Sequence, residues 1–196
     1  MQAIAVAARI ASGVNWYIGQ VFSWLAVAIV AVCFTVVVQR YVFSVSYLWL
    51  QDLYVWLNGA MFTAVAGFAF LRNDHVRLDI FYARASLRTK AIVDLACTLV
   101  FLFPFSYVVV AWGWTFVARS WRFGEGSANI GGLPGLFVLK SFIIAFAVLI
   151  ALEGLAIALR SVLVLQGRED LLPTSLRYHE GDLMPDFSFL AEKKDD

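Results

Sequence analysis

Apolar residues fall in four long blocks along the chain, each bounded by a short polar or aromatic stretch. The first, WYIGQVFSWLAVAIVAVCFTVVV, runs from Trp16 to Val38 without a charged residue. The others cover about 53–71, 91–117 and 134–160. A helix crosses the hydrocarbon of a bilayer in roughly 20 residues, so each block can span. None shows the alternation of a barrel strand, and lipid admits only helices or closed barrels because it offers backbone groups no water. The pattern therefore predicts an all-α integral membrane protein of four transmembrane helices with short connectors. Residues 1–15 form an N-terminal segment and residues 164–196 a polar C-terminal tail.

Details at the block ends fit this reading. Trp16 and Tyr17 suit one membrane interface, and Arg40 and Tyr41 the other. Trp49, Tyr54 and Trp56 cluster near the start of the second block. Pro104 lies inside the third, where its missing N–H predicts a kink. Pro134 opens the fourth as a favourable first-turn residue. Lys and Arg set the orientation. Arg9, Arg72, Arg77, Arg84, Arg88, Lys90, Arg160, Arg168 and Arg177 fall on one side, against Arg40, Arg119 and Arg122 on the other. This asymmetry predicts that both termini are cytoplasmic and that the loop from Arg119 to Leu133 faces outward.

Composition agrees: 62% of the 196 residues are hydrophobic and 15% charged, against about 45–50% and 25% in soluble domains. The net charge of +1 hides an acidic tail, with eight acids and four bases from Val164 to Asp196. No basic patch interleaves with exposed aromatics, so nucleic acid is not an expected partner. Cys33 and Cys97 sit singly in apolar runs and read as packing residues, not a redox or zinc pair. The first dozen residues carry only Arg9 as a charge and no compact signal core, so the first span is expected to stay as an uncleaved anchor. The tail retains Leu171, Leu172, Leu176, Met184, Phe187, Phe189 and Leu190. Its alternatives are docking on a partner, lying at the headgroups, or disorder.

Candidate chemistry is sparse. RNDHVRLDIFY, Arg72 to Tyr82, concentrates His75, Arg77 and Asp79 between the second and third spans. A metal site needs three or four converging ligands, and the other histidine, His179, lies far away in the tail. Polar His75, Arg77 and Asp79 alternate with Val76, Leu78 and Ile80, which suits an interfacial corner. Haem would require histidines inside spans, and no phosphate loop or serine elbow is present. No metal, cofactor or catalytic residue is expected, and the chain does not read as an enzyme. GEGSANIGGLPG, Gly124 to Gly135, reads as an extracytoplasmic turn. Charges in or near spans are functional candidates. Asp52 opens the second span, Asp94 lies one turn into the third, and Lys140 can snorkel outward. Glu153 has Arg160 seven residues on, on roughly the same helical face. With so little polar lining, these charges favour helix or subunit contacts over conduction.

The run RNDHVRLDIFYARASLRTKAIVDLACTLVFLFPF resembles the small membrane subunit, Q or DctQ-like, of tripartite ATP-independent periplasmic (TRAP) transporters. The His-Val-Arg-Leu-Asp order, SWRFGEGS from Ser120 to Ser127, and the acidic Asp52 beside Trp49 and Trp56 carry the resemblance, which covers about Trp16 to Arg160. The glycine-rich loop and C-terminal extension resemble the branch labelled mannitol/chloroaromatic. The resemblance implies a scaffold in the bacterial inner membrane, bracing a large elevator-type subunit that holds the substrate and sodium sites. A periplasmic binding protein would deliver an organic acid or similar solute. Asp52, His75, Arg77, Asp79, Asp94 and Glu153 would then be structural or subunit-interface residues. Arg119, Arg122, Glu125 and Ser127 would lie near the docking region for the binding protein. Two competing readings are a membrane anchor of a redox complex, which predicts bound haem or quinone, and a self-sufficient small transporter, which predicts flux from this chain alone.

Overall fold

The computed structural model describes residues 2–72, 85–172 and 176. Among them there are helices and no strands. The order is α1 (Gln2–Ser23), α2 (Leu25–Tyr41), α3 (Leu48–Leu71), α4 (Leu87–Cys97), a π-helical turn (Thr98–Leu102), α5 (Phe103–Phe123) and α6 (Leu136–Leu165), then a short 3-10 turn (Glu169–Leu171). α1 with α2, α3, α4 through α5, and α6 make four helical rods long and apolar enough to cross a membrane.

The first rod begins at Gln2, well before the block edge at Trp16, and runs for 40 residues. At 1.5 Å per residue that is about 60 Å, twice the hydrocarbon thickness of roughly 30 Å. It breaks at Trp24. Just before the break the Ser23 hydroxyl donates to the Gly19 carbonyl at 2.6 Å, a back-bond of the kind that bends helices. In the third rod the expected disruption at Pro104 takes a definite form. The π-helical turn ends at Leu102, two residues before it, and the Phe103 N–H donates to Thr98 O, five residues back. The wider turn accommodates a ring that cannot donate and would crowd an α-helical ladder. The fourth rod starts at Leu136, not Pro134, because Gly135 adopts φ +93°, a left-handed conformation that no helix continues.

α6 is the centre of the bundle and packs against α1, α3, α4 and α5. α1 is antiparallel to it: Ala5 meets Leu163, Ser12 meets Glu153 and Asn15 meets Leu149. α3 is parallel to it, with Thr63 donating to Phe142 O and Gly59 facing Leu139. The rod of α5 and the π-helical turn before it is antiparallel, with Gly154 against Leu102 of that turn and Ile144 against Gly113 of α5. The buried face of α1 is small: Ala5, Ala8, Ala11, Ser12, Asn15 and Gly19. Small residues let helices approach closely in lipid, where apolar surface alone gives no drive to associate.

The start of the tail folds back on the chain itself. Leu172 packs with Ala5 and Leu163, Leu171 lies against that cluster, and Leu176 is buried. Met184, Phe187, Phe189 and Leu190 lie outside the described residues, as does the stretch with His75, Arg77 and Asp79. Large apolar side chains cover the outside, and α2 has no buried residue at all. So large an apolar surface needs lipid or a partner over it.

Candidate functional site

Two polar clusters hold the bundle. The first joins α1 to α6. Glu153 is fully buried, at 0% exposure. Its Oε1 accepts from the Ser12 hydroxyl at 3.3 Å and its Oε2 from Asn15 Nδ2 at 3.0 Å. Arg160, two turns further along α6, places a guanidinium nitrogen 3.6 Å from Oε1. Asn15 Nδ2 also donates to the Leu149 carbonyl at 3.2 Å. Asn15 lies so close to Gly67 of α3 that a Cβ there would sit 2.6 Å from its Oδ1. One asparagine of α1 thus touches two further helices, α6 and α3. A buried charge needs both a counter-charge and hydrogen bonds to offset its lost hydration, and Glu153 has both.

The second cluster lies at the opposite end and organises the loop between α5 and α6. Asp52, in the first turns of α3, accepts from Asn129 Nδ2 at 3.0 Å and from the Leu133 N–H at 2.9 Å. The Ser127 hydroxyl bonds the same carboxylate. A Cβ on Gly132 would fall 2.3 Å from Asp52 Oδ2, so only glycine lets the loop come this close. Beside it, Glu125 contacts Lys140 directly and accepts from the Ser120 hydroxyl at 2.6 Å. Lys140, and next Ser120, hold the Glu125 carboxyl below its ordinary range. The Lys140 ammonium also lies 4.1 Å from the Phe116 ring centroid, a cation–π contact. Trp121 closes the side, donating from Nε1 to the Ser141 hydroxyl at 2.8 Å.

The sequence candidates therefore separate. Glu153 and Arg160 meet, and Asp52 meets Ser127. Glu125 turns inward to Lys140, while Arg119 and Arg122 stay exposed. Asp94 is half-buried on a groove lined by Phe70, Thr98, Phe101 and Ile157. His75, Arg77 and Asp79 lie outside the described residues. Ser12 and Asn15 precede the first apolar block, so hydropathy along the chain does not mark them. The available signal was their spacing with Ala8 and Gly19, a small-residue stripe on one helical face. Among the described residues no group of three His, Cys, Asp or Glu could hold a metal ion.

The family model described as "Tripartite ATP-independent periplasmic transporters, DctQ component" matches residues 29–164. The match takes in Asp52, Glu125 and Glu153 but leaves α1, with Ser12 and Asn15, outside. No curated protein and no solved structure matches the chain.

Proposed function

This chain belongs to the DctQ component family of tripartite ATP-independent periplasmic transporters, and on that premise we propose that it is the scaffold subunit of a secondary transporter. It braces the large elevator-type subunit in the bacterial inner membrane, with both of its own termini cytoplasmic. The large subunit carries the substrate and sodium sites, and a periplasmic binding protein delivers an organic acid or similar solute. Within the family we place the chain in the branch labelled mannitol/chloroaromatic. It is not an enzyme and carries no cofactor of its own.

The observation that carries this reading is the use made of the buried polar groups. Glu153, Ser12, Asn15 and Arg160 bond one another across α1 and α6. A solute pathway requires polar groups facing a water-filled cavity; these face neighbouring helices. The opposite pattern holds outside: α2 packs along one side on α3, yet among the described residues none of its own is fully buried, which leaves an apolar surface open to lipid or to a larger membrane protein.

Reconstitution separates this reading from its competitors. The chain alone in liposomes is expected to give no solute flux and no visible absorption band. With the large subunit and the binding protein, uptake is expected to appear and to depend on sodium. Flux from the chain alone would support a self-sufficient transporter, and a haem spectrum would support a redox anchor; either would overturn the scaffold reading.

A further inference from the structure

We propose that the groove between α3 and the third rod is a binding site for one phospholipid with an amine headgroup, its ammonium held by Asp94 and one acyl chain lying along α6. Such a site belongs to this chain whether or not it braces a larger subunit.

Both α3 and the third rod pack on α6, and the groove runs between them. Its two parts, about 630 Å³ and about 500 Å³, share Phe70, Leu102 and Phe105 as lining, so they are continuous. Each falls in the size range of small-ligand sites, roughly 300–1,000 Å³. Phe146 and Ile150 of α6 line one part, and Ile157 lines the other. On the α3 side, Ala66 and Ala69 have side chains too small to fill it. The outer side is open, for Phe62, Phe101 and Phe105 are exposed. Both helix irregularities border this space: Ser23 precedes the break in the first rod, and Leu102 ends the π-helical turn. Such turns occur often at functional sites.

Length and polarity together select the occupant. α6 leaves the polar loop at Leu136. About 20 residues of helix cross the hydrocarbon, which puts the midplane near Phe146 and the far membrane face near Ala156. From Phe146 to Ile157 the helix rises about 16 Å, the depth of one leaflet's hydrocarbon, roughly 15 Å. The stacked rings of Phe62 and Phe146, 5.9 Å between centroids, lie at the midplane end. Asp94 lies at the other end, on the part that Ile157 lines. Among the described residues that line the groove, Asp94 is the charged one. An apolar channel one leaflet deep with a carboxylate at its mouth matches an acyl chain that ends in a cationic headgroup. A carboxylate accepts at about four positions, so the contacts Asp94 makes within the chain leave room for an ammonium. Hydrocarbon gains little by leaving lipid for an apolar groove, so the headgroup carries the selectivity. An ammonium is attracted to Asp94, and a headgroup of net negative charge is repelled.

The test uses the complex purified from native membranes in mild detergent, with its retained lipids quantified by mass spectrometry. Phosphatidylethanolamine is expected to stay bound in a fixed ratio to this chain, and phosphatidylglycerol to wash out. Ala69→Phe, which fills the groove, is expected to abolish retention, whereas Val30→Phe on the exposed face of α2 leaves it unchanged. Asp94→Asn is expected to lower retention about tenfold, the usual strength of a charge-assisted bond, and Asp94→Glu to restore most of it. A second measurement needs no variant. Phosphatidylethanolamine with a diazirine at the end of one acyl chain, supplied to the wild-type complex in nanodiscs, is expected to label peptides containing Phe62 or Phe146. Equal retention of the two lipids, wild-type retention by Ala69→Phe, or label spread evenly over the outer faces of α2 and α5 would overturn the inference. So would p-benzoylphenylalanine at position 69 crosslinking to another membrane protein, since a protein helix would then fill the groove.

Discussion

Replacing Glu153 by Ala is expected to destabilise the bundle by about 3–5 kcal/mol, the usual cost of removing one partner of a buried ion pair. The side chain is fully buried, so its removal opens a cavity inside the bundle. Its loss leaves Arg160, Ser12 and Asn15 without their shared acceptor. α1 should loosen from α6, and the purified protein should unfold at lower temperature. The double variant Glu153→Leu with Arg160→Met separates charge burial from packing. Apolar pairs of similar volume often replace buried ion pairs at no cost, so the double variant is expected to recover most of the loss. Equal instability of the single and double variants would instead mean that the specific hydrogen bonds to α1 dominate.

The second large effect is steric. Gly19 of α1 faces Phe68 of α3 so closely that an added Cβ would lie 2.3 Å from the phenylalanine Cβ and 2.4 Å from its Cγ. These atoms sit next to the backbone and cannot swing away. Gly19→Ala is expected to cost about 1–3 kcal/mol as an overpacked contact, and Gly19→Leu to separate α1 from α3. Gly13 supplies the control on the same helix, since nothing lies within 4 Å of a Cβ there. Gly13→Leu should be neutral or stabilise by up to about 1 kcal/mol through helix propensity. Thermal unfolding of both variants in one detergent checks the contrast. Equal effects at the two glycines would contradict the close α1–α3 contact.

The four rods were legible because each apolar block is about long enough to cross a bilayer, a signal that depends on composition and not on packing. The extension of α1 back to Gln2 was not legible on those grounds. Residues 2–15 are small and weakly apolar, and their role is close approach, which hydropathy does not register. Glu153 and Arg160 could be paired from their seven-residue spacing along one helix. Their partners Ser12 and Asn15 could not, because they lie more than 130 residues away in sequence. Asp52 was recognisable as a charge at a span edge. What it does required the loop geometry, since Asn129, Gly132 and Leu133 reach it across a long separation. Pro104 announced a disruption but not the π-helical turn that absorbs it.

We propose that this chain braces a larger membrane subunit, and a subunit that does so copurifies with its partner. Purification of the tagged protein from native membranes in mild detergent, followed by mass spectrometry, tests it most directly. Recovery of a much larger polytopic membrane protein in a fixed ratio is the expected result. Recovery of this chain alone, as a monomer or homo-oligomer, would contradict the account.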